Sequence, residues 1–344
     1  MPRKNVFADC SSEELQKRRK VTLPSFVDPM LATLTDKYFS SDDWIFEHKF
    51  DGERCLVFKK NGKVTLKSRN NKIKNIAYPE LVKAFEEQEA DNFIVDGEII
   101  SKKAGLSDFQ LLQKRINLTN VSQIKFLEKT IKISFCIFDV MYVEGYDVRT
   151  LPLIARKKIL KRLLEFNTLL VYTEHKTGDG LSFFKEACKK GWEGLIAKKS
   201  SSTYVGVRSS NWLKFKCIMK QELVIAGYTD PRGTRQGFGA LLVGYYKGNK
   251  LMFAGKVGTG YTEDALAILS KKLFSLEVKK CPFADYDDAT QGIHWVKPQL
   301  VAEFRFANWT KAGRLRVGRY KGLRDDKAAK DVVREVPKAI SVKD

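Results

Sequence analysis

Between Phe46 and Lys199 apolar residues gather in short runs that alternate with polar ones or stay continuously apolar, as strands half-buried or buried in sheets do. FEHKF, RCLVFK, KVTLKS, FIVDGEII, ISFCIFDVMY and GLIAKK are such runs, rich in β-branched and aromatic residues. Helical spacing intervenes at Tyr78 to Glu87, Ser107 to Arg115, Pro152 to Leu164 and Ser182 to Lys190, the third opened by a proline suited to a first turn. That helix sets Leu153, Leu160 and Leu164 against Arg156, Lys157, Lys158, Lys161 and Arg162, a basic face expected to be solvated. The mixture predicts an α+β domain ending near Cys217. Beyond it QELVIAGYT, GALLVGYY, KLMFAGKVG and PQLVAEFRFANW are short strands divided by Gly, Asn and Pro turns, with one helix, Thr262 to Leu273. That texture predicts a small all-β barrel of the OB type. The first 24 residues are charged and aperiodic and read as a loose basic arm. The expected organisation is therefore an arm (1–24), two domains (25–218 and 219–336) and a tail (337–344).

Composition adds a partner. The 344 residues carry a formal charge of +21 and are 43% hydrophobic, enough for real cores. Such a charge points to an extended anion, nucleic acid first. No apolar run approaches a membrane span and the N-terminus lacks a signal-peptide core, so no membrane partner and a cytoplasmic location are expected. The six cysteines form no C-x-x-C pair and read as reduced packing residues, with neither zinc nor a disulfide framework.

The chemistry lies in polar clusters at the strand ends. Lys49-Phe50-Asp51-Gly52-Glu53-Arg54 places an amine and a carboxylate on one face of an extended backbone ahead of an Asp-Gly turn. Taken alone, it also reads as a hairpin turn with a solvated lysine. Ser68-Arg69-Asn70, Asp96-Gly97-Glu98, Phe138-Asp139, the run Glu193 to Lys198, the same-face pair Lys214 and Lys216, and finally Arg319, Lys321, Arg324, Asp326 and Lys327 follow in order. Each is ambiguous by itself. Together they offer one nucleophilic lysine, a few carboxylates and many cations, the inventory of phosphoryl or nucleotidyl transfer.

The ordered set KFDGER, SRN, DGEI, IFD, EGLIAKK, WLKFK and RDDK resembles the motif series of the covalent nucleotidyltransferases, specifically the ATP-dependent DNA ligases, from Pro29 to about Glu335. DPMLATL, PRGTRQGFGALLVGYY, FAGKVGTGY and LVAEFRFANWTKAGRLRVGRYKGLRDDK are similar to the ligase module of bacterial DNA ligase D and its stand-alone relatives. The resemblance implies a nucleotidyltransferase (adenylation) domain with antiparallel sheets and flanking helices, then an OB-fold domain, with a hinge at Cys217 to Gln221. It implies ATP-dependent sealing of 5′-phosphate/3′-hydroxyl nicks through a lysyl-AMP. Lys49 would accept AMP with Asp51 beside it, and Lys214 and Lys216 would grip the α-phosphate. Glu47, Arg69, Glu98, Phe138 and Glu193 would complete the nucleotide site, Phe138 by stacking on adenine and Glu98 and Glu193 by holding Mg²⁺, for which Mn²⁺ can substitute. Arg54 would position the nick's 5′-phosphate, Arg324, Asp326 and Lys327 the pyrophosphate, and Lys67, Lys72 and Lys74 would track DNA. The implied partners of this monomer are nicked duplex DNA, Ku and separate end-processing proteins at the nucleoid. An RNA ligase or other nucleotidyltransferase, and a non-sealing nucleic-acid-binding relative, are the alternatives.

Overall fold

The computed structural model describes residues 5–335 except 117, 218, 232, 234, 235 and 311, and of Asn308 the backbone alone. The tail expected at 337–344 lies outside the described residues. Two compact units form, a first running to Cys217 and a second spanning Ile218–Val336.

The first unit is built on two sheets. One has eight strands, ordered Arg19–Lys20, Tyr146–Asp147, Ile133–Val143, Phe93–Lys103, Glu53–Lys60 and Lys63–Ser68, with Leu170–Tyr172 beside Ile133–Val143 and Leu106–Ser107 on Phe93–Lys103. Alternation along its strands gives it two apolar faces. Cys55, Val57, Phe93, Val95, Phe135 and Ile137 face a core with helices Pro79–Glu86, Phe109–Ile116 and Leu153–Leu163. Leu56, Phe58, Ile94 and Phe138 face the other way and pack with Met30, Tyr204 and Trp212. The second sheet orders His175–Gly178, Ser41–His48, Gly194–Lys199, Arg208–Lys216 and Leu31–Leu34. One face, Trp44, Phe46, Leu195, Ala197, Leu213 and Phe215, is covered by Phe183 and Ala187 of helix Gly180–Lys189. The opposite face carries the polar alternates and belongs to the site.

The second unit is a curled six-stranded antiparallel sheet of the OB-fold type, ordered Lys250–Val257, Leu241–Lys247, Lys220–Thr229, Ile293–Arg305 and Glu277–Val278, with Arg319–Arg324 pairing Ile293–Arg305. Leu223, Ile225, Leu241, Val243 and Val257 close its core against Leu269 and Leu273 of helix Glu263–Phe274.

Three expectations need correcting, and one helix was not expected. The N-terminal segment is anchored: helix Ser12–Gln16 has a capping box between Ser11 and Glu14, and Arg19–Lys20 pairs with Tyr146–Asp147. Phe7 and the Arg18 guanidinium pack on Tyr146, at 5.8 Å and 4.2 Å from its ring centroid. The helix Val121–Thr130, capped by Asn120, had no reading of its own in the sequence. Cys188 and Cys217 are joined in a disulfide, while Cys10, Cys55, Cys136 and Cys281 are free. The helix Leu153–Leu163 does not have a fully solvated basic face, since Arg156 and Lys157 are buried and only Lys158, Lys161 and Arg162 are exposed. Among the described residues no helix is long and apolar enough to cross a membrane.

Candidate active site

The hexapeptide does not make a hairpin. Strand Ser41–His48 lies in the second sheet and Glu53–Lys60 in the first, so Lys49 to Gly52 crosses from one sheet to the other. Gly52 makes the crossing possible, because a Cβ there would sit 2.1 Å from the Ile99 carbonyl oxygen. Lys49 leaves its strand with its backbone N–H donating to the Gly194 carbonyl, 3.0 Å away. Its ammonium lies 2.5 Å from a Glu193 carboxylate oxygen. Gly194 is needed for this approach too, as a Cβ would meet the Phe215 carbonyl oxygen at 1.9 Å.

Register aligns the other polar groups. Glu47, Ile196 and Lys214 stand side by side across three strands, and Gly194 opposes Lys216 one step further on, beside Lys49. Lys49, Glu193, Glu47, Lys214 and Lys216 therefore share one end and one face of the second sheet. Lys214 is half-buried and Lys216 buried. The Asp51 backbone N–H donates to Ser107 Oγ at 3.2 Å. From the first sheet, Glu98 stands directly across from Arg54, and the Arg54 guanidinium lies 4.6 Å from the Phe138 ring centroid. Arg69 sits in the turn after Lys63–Ser68.

Several of these side chains already have internal partners. Glu47 is 2% exposed, with the ammonium groups of Lys157 and Lys198 each 2.5 Å from its carboxylate. Burial alone would raise the Glu47 carboxyl, but the two lysines hold it below the ordinary carboxylate range. Burial pushes Lys198 down, opposed by Glu47, and its ammonium also lies over the Phe138 and Trp212 rings at 4.2 and 4.1 Å. A base stacking on Phe138, itself only 8% exposed, has to share that ring with two cations. Arg54 donates to both oxygens of fully buried Asp96 (2.5 and 2.6 Å) and to the Met30 carbonyl, and Tyr204 donates to the same carboxylate. Despite burial, Asp96 raises the Arg54 pKa above its ordinary value. Arg54 is thus held from within through Nε and Nη2.

Lysines proposed to follow DNA divide in the same way. Lys74 is buried, paired with Glu53 at 2.7 Å and donating to the Ile116 carbonyl; Lys67 donates to the Ser25 carbonyl; only Lys72 is exposed. In the second unit Arg324 grips Asp326 through two bonds (2.7 and 2.8 Å), and Lys327 lies 3.4 Å from Glu222. Sequence reasoning assigned no role to Lys157, Lys198 or His48. Alternation along EGLIAKK does place Lys198 with Ile196 on the site's face, but nothing local singles out Lys157 from its basic neighbours. His48, just before the nucleophile candidate, stacks on Trp192, just before Glu193, with centroids 3.8 Å apart.

A family model described as ATP dependent DNA ligase domain matches residues 29–216, and one described as ATP dependent DNA ligase C terminal region matches 234–327. The chain is 38% identical over 328 residues to the multifunctional non-homologous end joining DNA repair protein LigD of Mycobacterium tuberculosis, covering 93% of this chain and 41% of that protein. It is 34% identical over 326 residues to the multifunctional non-homologous end joining protein LigD of Pseudomonas aeruginosa, covering 92% and 38% respectively. The chain thus spans about two fifths of the length of these relatives. Among solved structures, mycobacterial DNA ligase D complexed with ATP and MES superposes with a TM-score of 0.65 at 35% identity, covering 90% of this chain and 98% of that one. With the two-sheet first unit, the curled OB-type second unit and a lysine–glutamate pair where the sheets meet, the chain belongs to the ATP-dependent DNA ligases.

Proposed function

We propose that this enzyme seals 5′-phosphate/3′-hydroxyl nicks in duplex DNA in the course of break joining, with Lys49 as the AMP acceptor. The observation that carries the assignment is the Lys49 ammonium held 2.5 Å from Glu193 on a sheet face that also bears Lys214 and Lys216. Lys49 Nζ, having lost a proton, attacks the α-phosphorus of ATP; the bond to the β-phosphate oxygen breaks and pyrophosphate leaves. A 5′-phosphate oxygen then attacks the same phosphorus and releases the lysine, and the 3′-hydroxyl displaces AMP to close the strand. Asp51 lies next to the nucleophile, Lys214 and Lys216 stabilise charge on the α-phosphate, and Arg69 and Phe138 contribute to the nucleoside site. Arg324 and Lys327 act on the pyrophosphate from the second unit.

A divalent cation fits the chemistry of the donors. The Lys49 ammonium already occupies a cation's place beside the Glu193 carboxylate. Among the described residues no three or more His, Cys, Asp or Glu side chains cluster, so Glu98 and Glu193 would share the ion with phosphate and water. Mg²⁺ tolerates that arrangement, and Mn²⁺ is the natural substitute. The bound ion would neutralise phosphate charge and free Lys49 from its carboxylate partner.

The enzyme works in the cytoplasm, at the nucleoid, as a monomer on nicked DNA, with Ku and separate end-processing proteins as its partners. Incubation with α-labelled ATP and Mg²⁺ is expected to label the protein, and Lys49→Ala to abolish the label. Adding nicked DNA is expected to discharge it into sealed product, with nicked RNA discharged poorly. No label on the intact protein overturns the assignment, and preferential sealing of RNA makes it an RNA ligase.

A further inference from the structure

Two cysteines that belong to none of the motifs flank the active-site lysine and glutamate strands. Cys188 is exposed in the last turn of helix Gly180–Lys189, and Cys217 follows Lys216 directly, at the point where the first unit ends. They are joined across a sequence separation of 29, which encloses Glu193, Lys198, Lys214 and Lys216. Their backbones grip the same turn from both sides: Gly191 N–H donates to the Cys188 carbonyl at 3.1 Å, and Cys217 N–H donates to the Glu193 carbonyl at 3.0 Å. The disulfide therefore staples the turn that presents Glu193 and fixes the residue from which the chain departs for the second unit.

We propose that Cys188 and Cys217 form a reversible thiol–disulfide site that, when oxidised, restrains this joint and slows the later steps of sealing. The effect on sealing rests on the ligase reading above; the existence of the site does not. The oxidant is a low-molecular-weight disulfide. The exposed Cys188 thiolate attacks one of its sulfurs and expels a thiolate, giving a mixed disulfide. The Cys217 thiolate then attacks Cys188 Sγ and expels the second thiolate, so the protein loses two protons and two electrons and the oxidant leaves as two thiols. A reducing compartment keeps such a pair as thiols, so it responds to a change in redox poise and adds no permanent cross-link.

The test uses the full chain equilibrated with reduced and oxidised glutathione at graded ratios, the remaining thiols being alkylated and counted by mass. Two thiols are expected to disappear together in the wild-type protein, whereas in Cys188→Ser the one remaining, that of Cys217, is expected to persist. On oxidation, multiple-turnover sealing is expected to fall about 5-fold or more while labelling of Lys49 by ATP stays within about 2-fold, the scale of a modest coupling between a local change and a distant step. Cys188→Ser is expected to seal at the same rate under both poises. Thiols lost singly, turnover unchanged by full oxidation, or an equal loss in Cys188→Ser would each overturn the proposal. If the reduced protein neither labels nor seals, the ligase reading fails, and the paired loss of thiols alone decides the site.

Discussion

Glu47→Ala strands two buried cations. Lys157 and Lys198 are each 2% exposed, and both have their ammonium groups 2.5 Å from this one carboxylate. Lys157 keeps the Thr173 carbonyl as an acceptor, and Lys198 keeps the faces of Phe138 and Trp212. Neither replaces a full negative charge in a site closed to water. Removing one partner of a buried ion pair costs about 3–5 kcal/mol, most of it from the uncompensated charge left behind. For a unit of this size each kcal/mol moves the melting temperature by about 2–4 °C, so the loss corresponds to about 6–20 °C. Thermal unfolding of the nucleotide-free protein at neutral pH, followed by near-ultraviolet circular dichroism to report the aromatic cluster beside Lys198, measures it directly. Replacing all three, Glu47→Leu with Lys157→Met and Lys198→Met, is expected to recover most of the stability, because no charge is then left unpaired. If Glu47 served only to contact nucleotide, Glu47→Ala would leave the nucleotide-free melting temperature unchanged within about 2 °C, below the smallest shift the stranded lysines allow. That result would refute the buried triad.

Two further outcomes follow from the backbone around Lys49. Burial lowers His48 from 6.5 to about 4, so the unfolded chain binds a proton between those values that the folded one does not; stability is fully present above pH 6.5 and falls on acidification towards pH 4. The loss from this group is at most about 3 kcal/mol, and urea titrations across that range should show a shallower acid slope for His48→Phe, which keeps the stack on Trp192. Gly194→Ala forces the strands apart at a contact of 1.9 Å and carries Glu193 with it. Since a displacement of about 1 Å can cost about 100-fold in rate, initial rates of lysine labelling should collapse well before the protein unfolds, and a rate within about 2-fold of wild type would show the close approach to be dispensable.

The strands and most helices were legible because alternation and helical spacing are local properties of the chain. What escaped were facts decided by partners far away in sequence. Lys157 and Lys158 are adjacent on a basic helix, yet one meets Glu47, 110 residues distant, inside the protein, and the other meets solvent. Arg156 is buried for the same reason, by two bonds to Asp139. The Asp-Gly turn after Lys49 leaves a hairpin open as an alternative because local sequence does not say whether the next strand pairs with the last one or joins another sheet. The N-terminal helix, by contrast, left a signal in Ser11 and Glu14 that an absence of apolar period masked. The disulfide had no motif to reveal it, since only the fold brings positions 188 and 217 together.

Arg54 shows how partner geometry adds to a role carried over by motif. Its guanidinium grips Asp96, a carboxylate with no solvent exposure that also accepts from Tyr204, through Nε and Nη2. Abandoning that buried partner would cost about 3–5 kcal/mol, more than the return of about 1.5–3 kcal/mol from a charge-assisted hydrogen bond to a phosphate, so any phosphate contact is made with the Asp96 pair kept. Arg54 is also an internal strut of the first unit: it holds Asp96, to which Tyr204 also donates, lies against Phe138, and stands across from Glu98. Its loss should loosen Glu98 and the nucleoside site together, a defect expected to show already at lysine adenylation as a lower initial rate of labelling by ATP.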